Sequence, residues 1–132
     1  MNRQEFTENF LTHYESPRHY GPLSEAEVIV QGADESCGDV ITIYLKVGKD
    51  EVAEAIQFEG EGCTISQGAA SILLEMVQGK PLAEIQAIDY NDLIDKLGRE
   101  VVLSRIRCAT LGLSTLQSAI QRHYEAKTAD NF

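Results

Sequence analysis

The chain has 132 residues, 43% apolar and 24% charged, with 21 acidic against 11 basic side chains and a formal net charge of −10. That length fits one domain able to bury roughly two-thirds of its unfolded surface, and the mix of apolar and charged residues excludes a disordered chain. The acidic balance opposes nucleic acid or an anionic bilayer as partner, because both attract clustered Lys and Arg.

Residues 2–14 place Phe6, Phe10, Leu11 and Tyr14 at helical spacing, and Pro17 ends that helix. Residues 1–20 thus read as an N-terminal helix and loop, the loop continuing to Pro22. Three β patterns follow over Ala26–Gly32, Asp39–Val47 and Val52–Phe58. In the second, Ile41, Ile43, Leu45 and Val47 alternate with polar residues, and residues 48–51 form a tight connection between antiparallel neighbours. The period then lengthens. Ile65, Ala69, Ile72, Leu73, Met76 and Val77 share one helical face, closed by Gly79 and Pro81. Short helices are predicted at Leu82–Ala87 and Leu93–Leu97, and a helical turn begins in Val101–Ile106. A last helix spans Leu111–Tyr124 with Leu113, Leu116, Ile120 and Tyr124 inward, and residues 126–132 form a frayed tail. Strands followed by helices predict an α+β single domain over 1–132, a three-stranded antiparallel sheet with helices packed on one face.

No apolar run reaches the ~18 residues of a spanning helix, and the start MNRQEFTENF lacks the basic-then-apolar order of a signal peptide. An odd cysteine count without such a signal fits a reducing compartment, so the expected location is cytoplasmic.

The chemistry concentrates in Cys37, Asp39, Cys63 and Cys108, which include every thiol of the chain. A lone cysteine in an apolar segment is more often a small buried hydrophobe than a ligand, and Cys108, followed by Ala109 and Leu111, suits that reading by itself. Cys37 and Cys63 do not, because glycines, acids and turn residues surround them. All three fall at junctions between predicted elements, where a shared site assembles. Cys63 and Cys108 each precede a predicted helix, whose free N–H groups and dipole favour a thiolate. Gly38 lets Cys37 and Asp39 reach one ion, and Gly60 and Gly62 permit close backbone approach. Three soft thiolates and one harder carboxylate suit zinc or an iron–sulfur cluster, with Asp39 the exchangeable donor. Other chemistries fit poorly. Gly60-Glu61-Gly62 lacks a phosphate-loop lysine, no Cys-x-x-Cys exists for dithiol exchange, and paired short spacings of a structural zinc module are missing. His13, His19 and His123 have no nucleophile-pair context and are expected on exposed helix or loop surface.

The ordered motifs Ser36-Cys37-Gly38-Asp39, Gly60-Glu61-Gly62-Cys63-Thr64-Ile65-Ser66 and Arg105-Ile106-Arg107-Cys108-Ala109-Thr110 resemble the U-type iron–sulfur cluster assembly scaffolds, the IscU, SufU and NifU N-terminal family. The stretch Tyr14–Gly21 resembles the family's opening. The resemblance implies a transient [2Fe–2S] cluster, or alternatively Zn2+, on Cys37, Asp39, Cys63 and Cys108. It also implies sulfur delivered as persulfide by a pyridoxal-phosphate cysteine desulfurase, and clusters handed to recipient apoproteins by a monomer or cluster-bridged homo-oligomer. An alternative within the resemblance is a zinc-dependent sulfurtransferase, with Cys108 or Cys63 accepting the persulfide. The chain departs from the IscU pattern where Arg107 replaces histidine before the third cysteine, a residue that stays protonated and offsets charge instead of ligating. Val101-Val102-Leu103-Ser104 stands near the place of the Leu-Pro-Pro-Val-Lys chaperone segment. The motif details lie closer to SufU, without the insertion SufU proteins carry between the second and third cysteines.

Overall fold

The computed structural model of the chain describes residues 1–36 and 38–129. Helix α1 (Arg3–Glu15) opens on a reciprocal cap: Asn2 Oδ1 accepts from Glu5 N at 2.9 Å and Glu5 Oε1 accepts from Asn2 N at 3.3 Å. Its buried stripe is Phe10 and His13, with Phe6 half-buried, whereas Leu11 and Tyr14 are exposed. Positions 6, 10 and 13 follow the i, i+4, i+7 rule, and 11 and 14 are rotated off that face. The inward residue is therefore His13, contrary to the expectation of an exposed histidine. Ser71 of the neighbouring helix receives it: Ser71 Oγ lies 2.7 Å from His13 Nδ1 and accepts from Arg18 N at 2.7 Å.

Strands β1 (Val28–Asp34), β2 (Asp39–Gly48) and β3 (Val52–Glu61) form an antiparallel sheet in the order β1-β2-β3. β1 runs two residues and β3 three beyond their predicted ends, and both extensions matter for the site. Val28 pairs with Leu45, Val30 with Ile43 and Asp34 with Asp39, so these residues share the covered face. Ile41, Ile43, Leu45, Ile56 and Phe58 are fully buried there, each worth about 1.5–3 kcal/mol of transfer free energy. The outer edge of β3 is capped by the chain itself. Phe58 donates to His19 O and accepts from Gly21 N, while Ala53 donates to Lys80 O and accepts from Gly79 N.

Helices α2 (Thr64–Val77), α3 (Leu82–Gln86), α4 (Tyr90–Leu97) and α5 (Arg99–Val102) lead through a 3-10 turn at Leu103–Arg105 into α6 (Ile106–Ala129). α2 is buried nearly all round from Ser66 to Leu74, as a central helix between α1, α6 and the sheet must be. The long α6 starts five residues before the predicted Leu111, because the chain enters it already turning. It also includes 126–129 of the predicted frayed tail. There Lys127 Nζ and His123 Nε2, the latter at 2.7 Å, both reach the Glu51 carboxylate. Residues 130–132 lie outside the described residues. No helix among those described is long and apolar enough to cross a membrane.

Burial pushes the His13 imidazole below its ordinary pKa, with nearby Glu75 opposing the shift and Arg18 adding to it. The unfolded chain then binds the extra proton first, so this contribution is complete above about pH 6.5 and is lost as pH falls below it. Urea unfolding of the wild type and of His13→Gln between pH 7.5 and 5.5 should show a wild-type loss of stability that the variant lacks. Parallel curves would contradict the assignment.

Candidate metal centre

Asp39 is the first residue of β2 and is fully buried. A buried carboxylate needs donors, and Cys63, the N-cap residue of α2, supplies two. Asp39 Oδ1 accepts from the Cys63 backbone N–H at 2.8 Å, and Oδ2 accepts from the Cys63 thiol at 3.2 Å. The aspartate side chain thus satisfies an N–H at the start of α2 while its second oxygen faces sulfur. Ser66, one turn along, donates its hydroxyl to Cys63 O at 3.1 Å and accepts from Gln67 Nε2 at 3.2 Å.

Cys108 arrives from the third direction. It sits inside the first turn of α6, not ahead of a helix as predicted, and is 3% exposed. The Asp39 carboxylate, Cys63 Sγ and Cys108 Sγ lie within 4.8 Å of one another. A tetrahedral zinc with Zn–S of about 2.3 Å sets neighbouring donors roughly 3.8 Å apart, so the three stand near the spacing of one ion's ligands, and the Cys108 sulfur, disulfide-bonded in this structure, must be reduced before it can ligate. Cys63 is only partly buried, unlike Asp39 and Cys108. Cys37, the remaining predicted ligand, lies outside the described residues. The Gly60–Gly62 stretch acts as predicted at both glycines: a Cβ on Gly60 would stand 2.7 Å from the Val40 carbonyl oxygen. Gly62 has φ +135°, and a Cβ there would stand 2.0 Å from Asp39 Oδ1, so only glycine leaves room for the carboxylate.

One residue near the site escaped the sequence reading. Asp34 ends β1 directly opposite Asp39, on the same sheet face, and is 6% exposed. Its Oδ1 accepts from Ser36 N at 2.9 Å and from Ser36 Oγ at 2.5 Å, and its Oδ2 lies 3.2 Å from Arg107 Nε. The signal was present: Val28, Val30, Gly32 and Asp34 continue one period-two series.

The sequence model of the NifU-like N-terminal domain matches residues 5–131. The chain belongs to that family. Its relatives include the iron–sulfur cluster assembly scaffold protein IscU of Aquifex aeolicus, 35% identical over 89% of this chain and 74% of that protein. They also include the zinc-dependent sulfurtransferase SufU of Bacillus subtilis, 31% identical over 85% and 86%. The N-terminal NifU-like protein of Brucella abortus has the same fold in its crystal structure, with a TM-score of 0.76 and 21% identity over 89% of this chain and 92% of that one. The three-stranded α+β architecture of this NifU-like domain is thus that of the family.

Gly62→Ala should cost on the order of 2 kcal/mol or more, combining positive-φ strain with the clash against Asp39. Gly38→Ala is the comparison: its φ is +67° but, among the described residues beyond its chain neighbours, no atom lies within 4 Å of the added methyl, so only about 1–2 kcal/mol of conformational cost applies. Denaturant midpoints of the two variants check the order, and equal losses would refute the seat proposed for Asp39.

Proposed function

We propose that the protein is an iron–sulfur cluster assembly scaffold that builds a transient [2Fe–2S] cluster, its cargo, on Cys37, Asp39, Cys63 and Cys108. It then releases the cluster to recipient apoproteins. The observation supporting this is the approach of Asp39, Cys63 and Cys108 to within 4.8 Å from three separate segments, in a family whose relatives include named scaffolds. A carboxylate is a harder donor than thiolate and holds a cluster less tightly, which suits a site that must let its cargo go. Sulfur would come from a pyridoxal-phosphate cysteine desulfurase. Anaerobic reconstitution with iron, desulfurase and cysteine should produce charge-transfer absorption that moves to an apo-ferredoxin. A colourless product under those conditions would reject the reading.

The partial exposure of Cys63, beside the buried Asp39 and Cys108, favours a second reading as a zinc-dependent sulfurtransferase. Zinc, when bound by the same donors, would keep the thiols deprotonated and the pocket ordered. The Cys63 thiolate is the more reachable acceptor: it attacks the outer sulfur of a desulfurase persulfide, a new S–S bond forms on Cys63, and the desulfurase thiolate leaves. Cys108 remains the alternative acceptor. Zinc-loaded protein should then stimulate desulfurase turnover, and stimulation surviving chelation would reject this reading.

Asp39→Ala should still assemble a cluster but hand it over about tenfold more slowly, a barrier change of about 1.4 kcal/mol. Because Asp39 also accepts the Cys63 N–H, the alanine variant should lose a further 1–2 kcal/mol or so of stability that Asp39→Asn largely keeps. Transfer kinetics and urea unfolding of both variants separate the two roles. Metal at about 100 times its Kd should add roughly 2.7 kcal/mol to unfolding, so a melting temperature unchanged by chelation would count against both readings.

A further inference from the structure

We propose that Asp34 and Arg107 form a positioning clasp that sets the spacing of the ligand-bearing segments, holding the turn before β2 against the first turn of α6. The inference rests on the metal-binding reading above and adds two residues that are not ligands. Asp34 is nearly fully buried, and the donors it gathers come from both sides of the site. Ser36, which gives it an N–H and a hydroxyl, immediately precedes Cys37, while Arg107 immediately precedes Cys108. One carboxylate therefore spans two segments that must converge.

The register gives the clasp a second task. Asp34 and Asp39 face each other across β1 and β2 on the covered side of the sheet, and like charges directly opposite repel. Arg107 places its charge on Asp34, which leaves Asp39 turned toward Cys63. Arg107 itself is 78% exposed while the carboxylate it meets is 6% exposed, so its loss acts on Asp34 and through it on the geometry of the ligands. With Ser36, Ser104, Arg105, Ile106 and Cys108 it lines an open pocket of about 400 Å3, so the arginine of the clasp borders the approach to Cys108. Groups that orient metal ligands typically change affinity by about ten- to hundredfold when removed.

The test is a double-mutant cycle on the full chain, with Asp34→Asn, Arg107→Gln and the pair together. Zn2+ affinity is measured by competition with a chromophoric chelator, and Co2+ substitution reports the thiolate-to-cobalt charge-transfer bands. Each single variant should bind Zn2+ about ten- to hundredfold more weakly and weaken the cobalt bands, and the double variant should bind no more weakly than the worse single one. Arg107→Gln should stay folded at the assay temperature by far-UV circular dichroism, with and without metal, which separates positioning from folding. If wild type binds both metals and the variants match it in affinity and spectrum, or the losses add, the clasp is overturned while the site stands. If wild type binds neither metal, the metal reading fails and the clasp falls with it.

Discussion

The contact between Asp39 and Cys63, the N-cap residue of α2, organises this molecule. One oxygen of a fully buried carboxylate accepts the Cys63 backbone N–H, which fixes where α2 begins relative to the middle strand. α2 is buried almost all round, so α1, α6 and the sheet take their places from it. The other oxygen is left facing the Cys63 sulfur. A group that serves the fold with one atom can serve chemistry with the other, provided that letting go of a ligand does not undo the helix start.

Charge is concentrated where it is hardest to accommodate. Asp34 and Asp39 are both buried at the same end of the sheet in a chain already carrying a large negative excess. Each is compensated differently: Asp34 by Ser36 and a guanidinium, Asp39 by a peptide N–H and a thiol. The neutral donors on Asp39 leave it available to a cation, whereas the ion pair on Asp34 does not. This asymmetry gives the two aspartates different chemistry despite their matched positions in the sheet.

Much of this was legible in the sequence because the signals were periodic. Ile41, Ile43 and Leu45 alternate in β2, the apolar face of α2 repeats every three or four residues, and Gly79 with Pro81 stops it. Asp39, Cys63 and Cys108 could be linked because their residue types share one chemistry. What failed depended on neighbours distant in sequence. His13 is inside because Ser71, fifty-eight positions away, offers it a partner, and Leu11 is outside although its side chain is more apolar. The start of α6 was misplaced because a 3-10 turn at Leu103–Arg105 feeds it directly. Asp34 went unnoticed because a charged residue ending an apolar alternation looks like the end of a strand.

The N-terminal segment also guards a strand rim. His19 and Gly21 occupy the peptide groups of Phe58 on the rim of β3, and residues 79–80 do the same at Ala53. A shortened chain lacking the first 22 residues would bare the Phe58 groups and uncover the face of α2 that Phe10 covers together. Unsatisfied strand rims recruit other strands, so trimming this end would convert a discrete particle into one prone to stacking with its own copies.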